Sequence, residues 1–116
     1  MAVFNNNNAY VSQTAVFDNS ATSTIVELSG ACPVAIVTPA SFGQTTITFT
    51  AATTRDGTYY PVYDSTGTLI TLTVSSSSAS WTDITTIFPA SVGGWVKLVT
   101  GGAITKNVEI VSRNMA

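Results

Sequence analysis

Few side chains in this 116-residue chain are able to do covalent or metal chemistry, and their spacing argues against it. Asp56 and Asp64 flank one tyrosine-rich stretch and could meet at one end of a sheet. A calcium ion there would want about six to eight oxygen ligands, and no alternating Asp/Asn run surrounds either residue. A glycosidase pair would need one carboxyl with a raised pKa, for which the neighbours supply no cause. Both aspartates therefore read as turn formers. Cys32 is the only cysteine and histidine is absent. That removes the imidazole base, the Ser-His-Asp triad, His-containing zinc sites, the CxxC motif and an intrachain disulfide framework. With few cations in the chain, Cys32 reads as a buried, inert thiol. No catalytic residue, no metal ligand and no cofactor-binding residue is expected.

Aromatic side chains are the remaining candidates. Tyr59, Tyr60, Tyr63, Trp81 and Trp95 could stack on sugars, or fill the core and cross-strand pairs. Trp95 opens the apolar run Trp95-Val-Lys-Leu-Val99 and is expected in the core. Charge points away from polyanions. Four cations (Lys97, Lys106, Arg55 and Arg113) against six acids give a net charge of −2, so nucleic acid is not an expected partner. Lys97 and Arg113 read as solvated charges that discourage sheet-edge pairing.

These residues must be positioned by strands. Thr, Ser, Val and Ile supply 20, 13, 13 and 8 residues, while strong helix formers are sparse. In Gln44-Thr-Thr-Ile-Thr-Phe-Thr-Ala51, Ile47, Phe49 and Ala51 fall on one face and Thr46, Thr48 and Thr50 on the other. Likewise Ile70, Leu72 and Val74 share a face in residues 68–74. Further strands are predicted at 10–17, 23–28, 33–38, 58–63, 80–84, 95–100 and 103–112, with a turn of helix near Pro89-Ala-Ser-Val92. Arg55-Asp-Gly57 supplies a glycine able to take positive φ, Asp64-Ser-Thr-Gly67 reads as a type I turn, and Gly101-Gly102 as a hairpin connection.

Regularly spaced short strands predict an all-β fold, an antiparallel β-sandwich or jelly roll of about eight strands. Length fits one domain, residues 9–116, preceded by a flexible arm, residues 1–8, with the polar run Asn5–Asn8. Neither a signal-peptide pattern nor a stretch of ~20 apolar residues is present, so the expectation is a cytoplasmic origin and no membrane partner.

The outward strand positions carry Thr, Ser and Ala where a free monomer usually shows Lys and Glu. Only 9% of the chain is charged, against the ~25% typical of globular proteins. Such edges are safest when covered, which favours an assembly. The isolated apolar pair Val3 and Phe4, with Tyr10, are the candidate contacts to a neighbouring subunit or shell.

An ordered set of segments resembles a family of small tailed-bacteriophage virion proteins with a galactose-binding-like jelly roll. These segments are Ile25-Val-Glu-Leu-Ser-Gly-Ala-Cys-Pro-Val-Ala-Ile-Val-Thr-Pro39, Thr46-Ile-Thr-Phe-Thr50, Arg55-Asp-Gly-Thr-Tyr-Tyr-Pro-Val-Tyr-Asp-Ser-Thr-Gly67 and Gly94-Trp-Val-Lys-Leu-Val-Thr-Gly101. The resemblance covers residues 25–112 and leaves out 1–20. It implies a non-enzymatic capsid decoration (cement) protein on the capsid exterior, made in the host bacterial cytoplasm. The major capsid protein would be its partner, and a homo-oligomer is expected, a trimer before a dimer. The sugar-binding residues of true carbohydrate modules have no counterparts in these segments. A carbohydrate-binding module around Tyr59–Tyr63, or a tail- or neck-associated one, is the alternative.

Overall fold

The computed structural model describes residues 10–28, 31–84 and 94–114, and in these the chain is all-β with no helix. The expected arm with Val3 and Phe4, and the expected helical turn at 89–92, lie outside the described residues. Eight strands follow one another: β1 (Tyr10–Thr22), β2 (Val26–Glu27), β3 (Ala31–Thr38), β4 (Thr46–Ala52), β5 (Tyr60–Pro61), β6 (Thr71–Thr73), β7 (Ser80–Asp83) and β8 (Trp95–Asn114). All pairings are antiparallel and join the strands into one sheet, with the path β5-β4-β8-β3-β7.

β8 organises everything else. β1 and then β2 run along one of its edges, from Tyr10 opposite Arg113 to Glu27 opposite Trp95. Its other edge is shared. β4 takes the first part, with Ala52 opposite Trp95 and Thr48 opposite Val99, and β3 takes the last part, with Val37 opposite Glu109 and Ala31 opposite Asn114. β5 and β6 add to β4, and β7 adds to β3.

The hairpin expected at Gly101-Gly102 does not form, and the two predicted strands flanking it are one continuous strand of 20 residues. Its even-numbered positions point inward on both sides of the glycines: Val96, Leu98, Val108 and Ile110 are all buried. The glycines mark a place where the strand is approached closely. A Cβ at either would stand 3.3 Å from the side-chain amide of Gln44. Opposite them β1 is irregular, with register shifts between Asp18 and Ser20 and between Ser20 and Thr22, and Asn19 takes a φ of 50°.

Because both strands of the ribbon bend here, the chain returns on itself, and Thr24 N–H donates to Val16 C=O at 2.9 Å. Buried hydroxyls tie the corner. Ser23 Oγ accepts from Leu98 N–H (2.9 Å), and the single proton of Thr100 Oγ1 is donated to Gly102 C=O (2.9 Å), with Ala21 C=O a longer second acceptor (3.3 Å). The curled sheet thereby encloses one core. Phe17, Ile36, Val108 and Ile110 come from one half, and Ile47, Phe49, Leu72, Val96 and Leu98 from the other. Phe42 joins them edge-to-face with Phe17, with ring centroids 6.4 Å apart.

Other sequence expectations shift in detail. The strand predicted at 23–28 shrinks to Val26–Glu27, since Ser23 and Thr24 spend their backbone groups on the corner. Gly57 closes its turn on Thr54 C=O (3.2 Å) without positive φ; a Cβ there would stand 2.4 Å from Thr54 Oγ1, so the Thr54 side chain would have to turn aside. Trp95 is half-buried and outside the core, because Val96 and Leu98 take the inward positions. Lys97 and Arg113 lie on β8, between strands on both sides, so neither guards an edge.

Candidate functional site

Two outward sheet faces hold what could meet a partner. The first is built on β4, whose alternation sends Thr46, Thr48 and Thr50 outward. Directly opposite residues share a face. Thr73 therefore stands beside Thr46, and Thr71, Thr48, Val99 and Thr22 form one row across four strands. Pro61, Thr50 and Lys97 form the next row. The single cation in these rows is masked in part: Lys97 Nζ sits 4.4 Å from the Tyr59 ring centroid. This face offers hydroxyls and methyls and almost no charge.

The second face belongs to β1, β8, β3 and β7. Thr14, Glu109, Val37 and Trp81 are register partners in one row; in the next, Ser12, Val111, Ala35 and Asp83, the central Val111 and Ala35 are buried and open no surface. Ser12 Oγ donates to Glu109 Oε1 at 3.2 Å. β3 ends at Thr38, and Pro39, lacking an N–H, cannot extend the ladder. Beyond that point β8 has no neighbour from β3, and two adjoining hollows open, each of about 360 Å³ and sharing Pro39 and Asn107.

The sequence-derived candidates distribute as follows. Tyr10 begins β1 opposite Arg113. Asp56 lies exposed in the Thr54–Gly57 turn, and Asp64 organises a turn of its own. Asp64 Oδ1 accepts from Thr66 N–H (2.9 Å), Thr66 Oγ1 (2.7 Å) and Thr68 N–H (3.0 Å). The Thr66 hydroxyl first, then the Thr68 amide, hold its carboxyl below the ordinary value of 3.8. Among the described residues no three His, Cys, Asp or Glu side chains gather as a metal would need. Cys32 is half-buried, its Sγ 3.8 Å from Pro33 C=O.

The aromatic set does not converge on one platform. Tyr59 is half-buried, bonded through its hydroxyl to Arg55 C=O (2.7 Å) and covered by Lys97. Tyr60 is 66% exposed and Tyr63 55%, but strand alternation directs them to opposite sides. Trp81 is 66% exposed on a different part of the sheet altogether. The row joining Trp81 to Glu109 escapes sequence reasoning because it depends on register between strands about 28 residues apart, 81 to 109. The one local signal is the outward alternation Thr105, Asn107, Glu109 within an apolar strand.

No family model, no curated protein and no solved structure matches this chain.

Proposed function

We propose that this chain is a non-enzymatic structural protein of a tailed-bacteriophage virion, a decoration (cement) protein bound to the outside of the capsid shell. The observation that carries the reading is the nearly uncharged outer face formed by Thr22, Thr46, Thr48, Thr50, Thr71 and Thr73, whose one cation is Lys97. A face of this chemistry costs little to dehydrate, since its hydroxyls can be satisfied by a partner and it carries few ions. The resemblance of residues 25–112 to small virion proteins supports the same reading. Such a protein stiffens a shell by mass action, because it binds the assembled lattice better than free subunits. Its partners are then the major capsid protein and copies of itself, a trimer before a dimer, with the arm residues Val3 and Phe4 and with Tyr10 at the contacts.

The test is occupancy of purified particles. The chain should be present at a stoichiometry comparable to the major capsid protein, whereas a few copies per particle would place it in the tail or neck. Thr71→Glu with Thr73→Glu puts two charges on exposed positions of the face. This variant should fold normally and lose most of its occupancy; unchanged occupancy would remove the face from the interface. Light scattering that gives a monomer at high concentration would overturn self-association away from the shell.

A further inference from the structure

We infer that the groove on the outer face of β1, β8, β3 and β7 is a saccharide-binding site, with Trp81 as the stacking platform and Glu109 and Asn107 as the hydrogen-bonding groups. This goes beyond the virion reading and does not rest on it. Three features lie side by side on this face. Trp81 is one of the two most exposed large apolar side chains among the described residues, and it stands directly beside Val37, which lines the groove. The groove's lining is mixed: Val37, Pro39 and Ala79 supply apolar surface, and Thr14, Thr38, Asn107 and Glu109 supply polar groups. The Ser12 hydroxyl bonded to one carboxylate oxygen of Glu109 orients that group and leaves its second oxygen to accept from a ligand hydroxyl.

The ligand class follows from this combination. A pyranose has one apolar C–H face, which suits an indole, and a rim of hydroxyls, which suits a carboxylate beside an amide. Trp81 and Glu109 lie two strand spacings apart across Val37, ~10 Å at the usual ~4.8 Å between strands, the span of a mono- or disaccharide. Phosphate-bearing ligands are disfavoured: Glu109 and Asp18 line the two hollows, against the single cation Lys106. The two hollows adjoin through Asn107 and Pro39, so a longer glycan can continue along β8 past Thr105. A neutral oligosaccharide is therefore the fitting ligand.

The experiment titrates the full chain with lactose, maltotriose, cellotriose and chitotriose, read by calorimetry and tryptophan fluorescence. At least one should bind saturably. Trp81→Ala should weaken that binding ~10-fold or more, and Glu109→Gln by a smaller factor, with unchanged circular dichroism in both. Trp95→Phe should retain both the binding and the fluorescence response. Absence of saturable binding by all four up to about 10 mM would overturn the inference, and so would binding that survives Trp81→Ala. Particle occupancy of Trp81→Ala is a separate readout, expected unchanged, so a failure here and a failure of the virion reading are distinguishable.

Discussion

Asp64 shows how a solitary acid can serve structure alone. Its carboxylate gathers two amides and a hydroxyl from Thr66 and Thr68, and these bonds hold its pKa below the ordinary value. A group whose folded pKa is depressed contributes stability that is present above the unfolded pKa and lost as pH falls through the folded one. Asp64→Asn should therefore lower the melting temperature at pH 7, and the difference from wild type should shrink as pH drops below about 4. Thermal scans across that window check it. At the core, Phe17 is fully buried against Phe42. Phe17→Ala should cost about 3–5 kcal/mol in urea unfolding, through lost transfer energy and the cavity left behind.

At the level of elements, glycines separate into two physical kinds. Gly67 has a φ of 86° with open space around its missing Cβ, whereas Gly94 has a φ of 85° and a Cβ there would stand 2.7 Å from Ala52 C=O. Gly67→Ala should cost about 1 kcal/mol, the price of the left-handed conformation. Gly94→Ala adds a clash with backbone that cannot rotate away, and about 3 kcal/mol is expected. Denaturant titration of the two variants tests the ordering. Gly94 matters because it leads directly into β8, and its C=O accepts from Leu28 N–H (2.8 Å), closing the ladder where β2 ends. Movement there would disturb the strand that every half of the sheet uses.

For the molecule as a whole, the informative quantity is how little charge it carries. The outer threonine face has one cation, held over Tyr59, and edge strand β5 is blunted by Pro61. A contact made through that face owes little to Coulomb attraction. Occupancy of particles should therefore change little between about 0.05 and 0.5 M salt, a range over which a charge-driven contact would weaken strongly. Particle sedimentation across that range measures it. A steep loss with salt would point to the second face instead, where Glu109, Asp83 and Asp18 lie.

Local pattern alone determined the strand character of most elements. The alternation of Ile47 and Phe49 with Thr46, Thr48 and Thr50, and of Ile70, Leu72 and Val74 with their neighbours, already states which side is buried, because the side-chain period of a strand is two. The turn at Asp64 was legible for the same reason: its bonds close within four residues. Gly101-Gly102 was not, since two glycines permit a hairpin and a bent strand equally, and the choice lies in long-range pairing of β8 with β1, β3 and β4. That pairing also decided that Trp95 faces outward, that Lys97 lies between strands, and that Trp81 stands in line with Glu109. Register between distant strands is a property of the closed sheet. No local segment carries it.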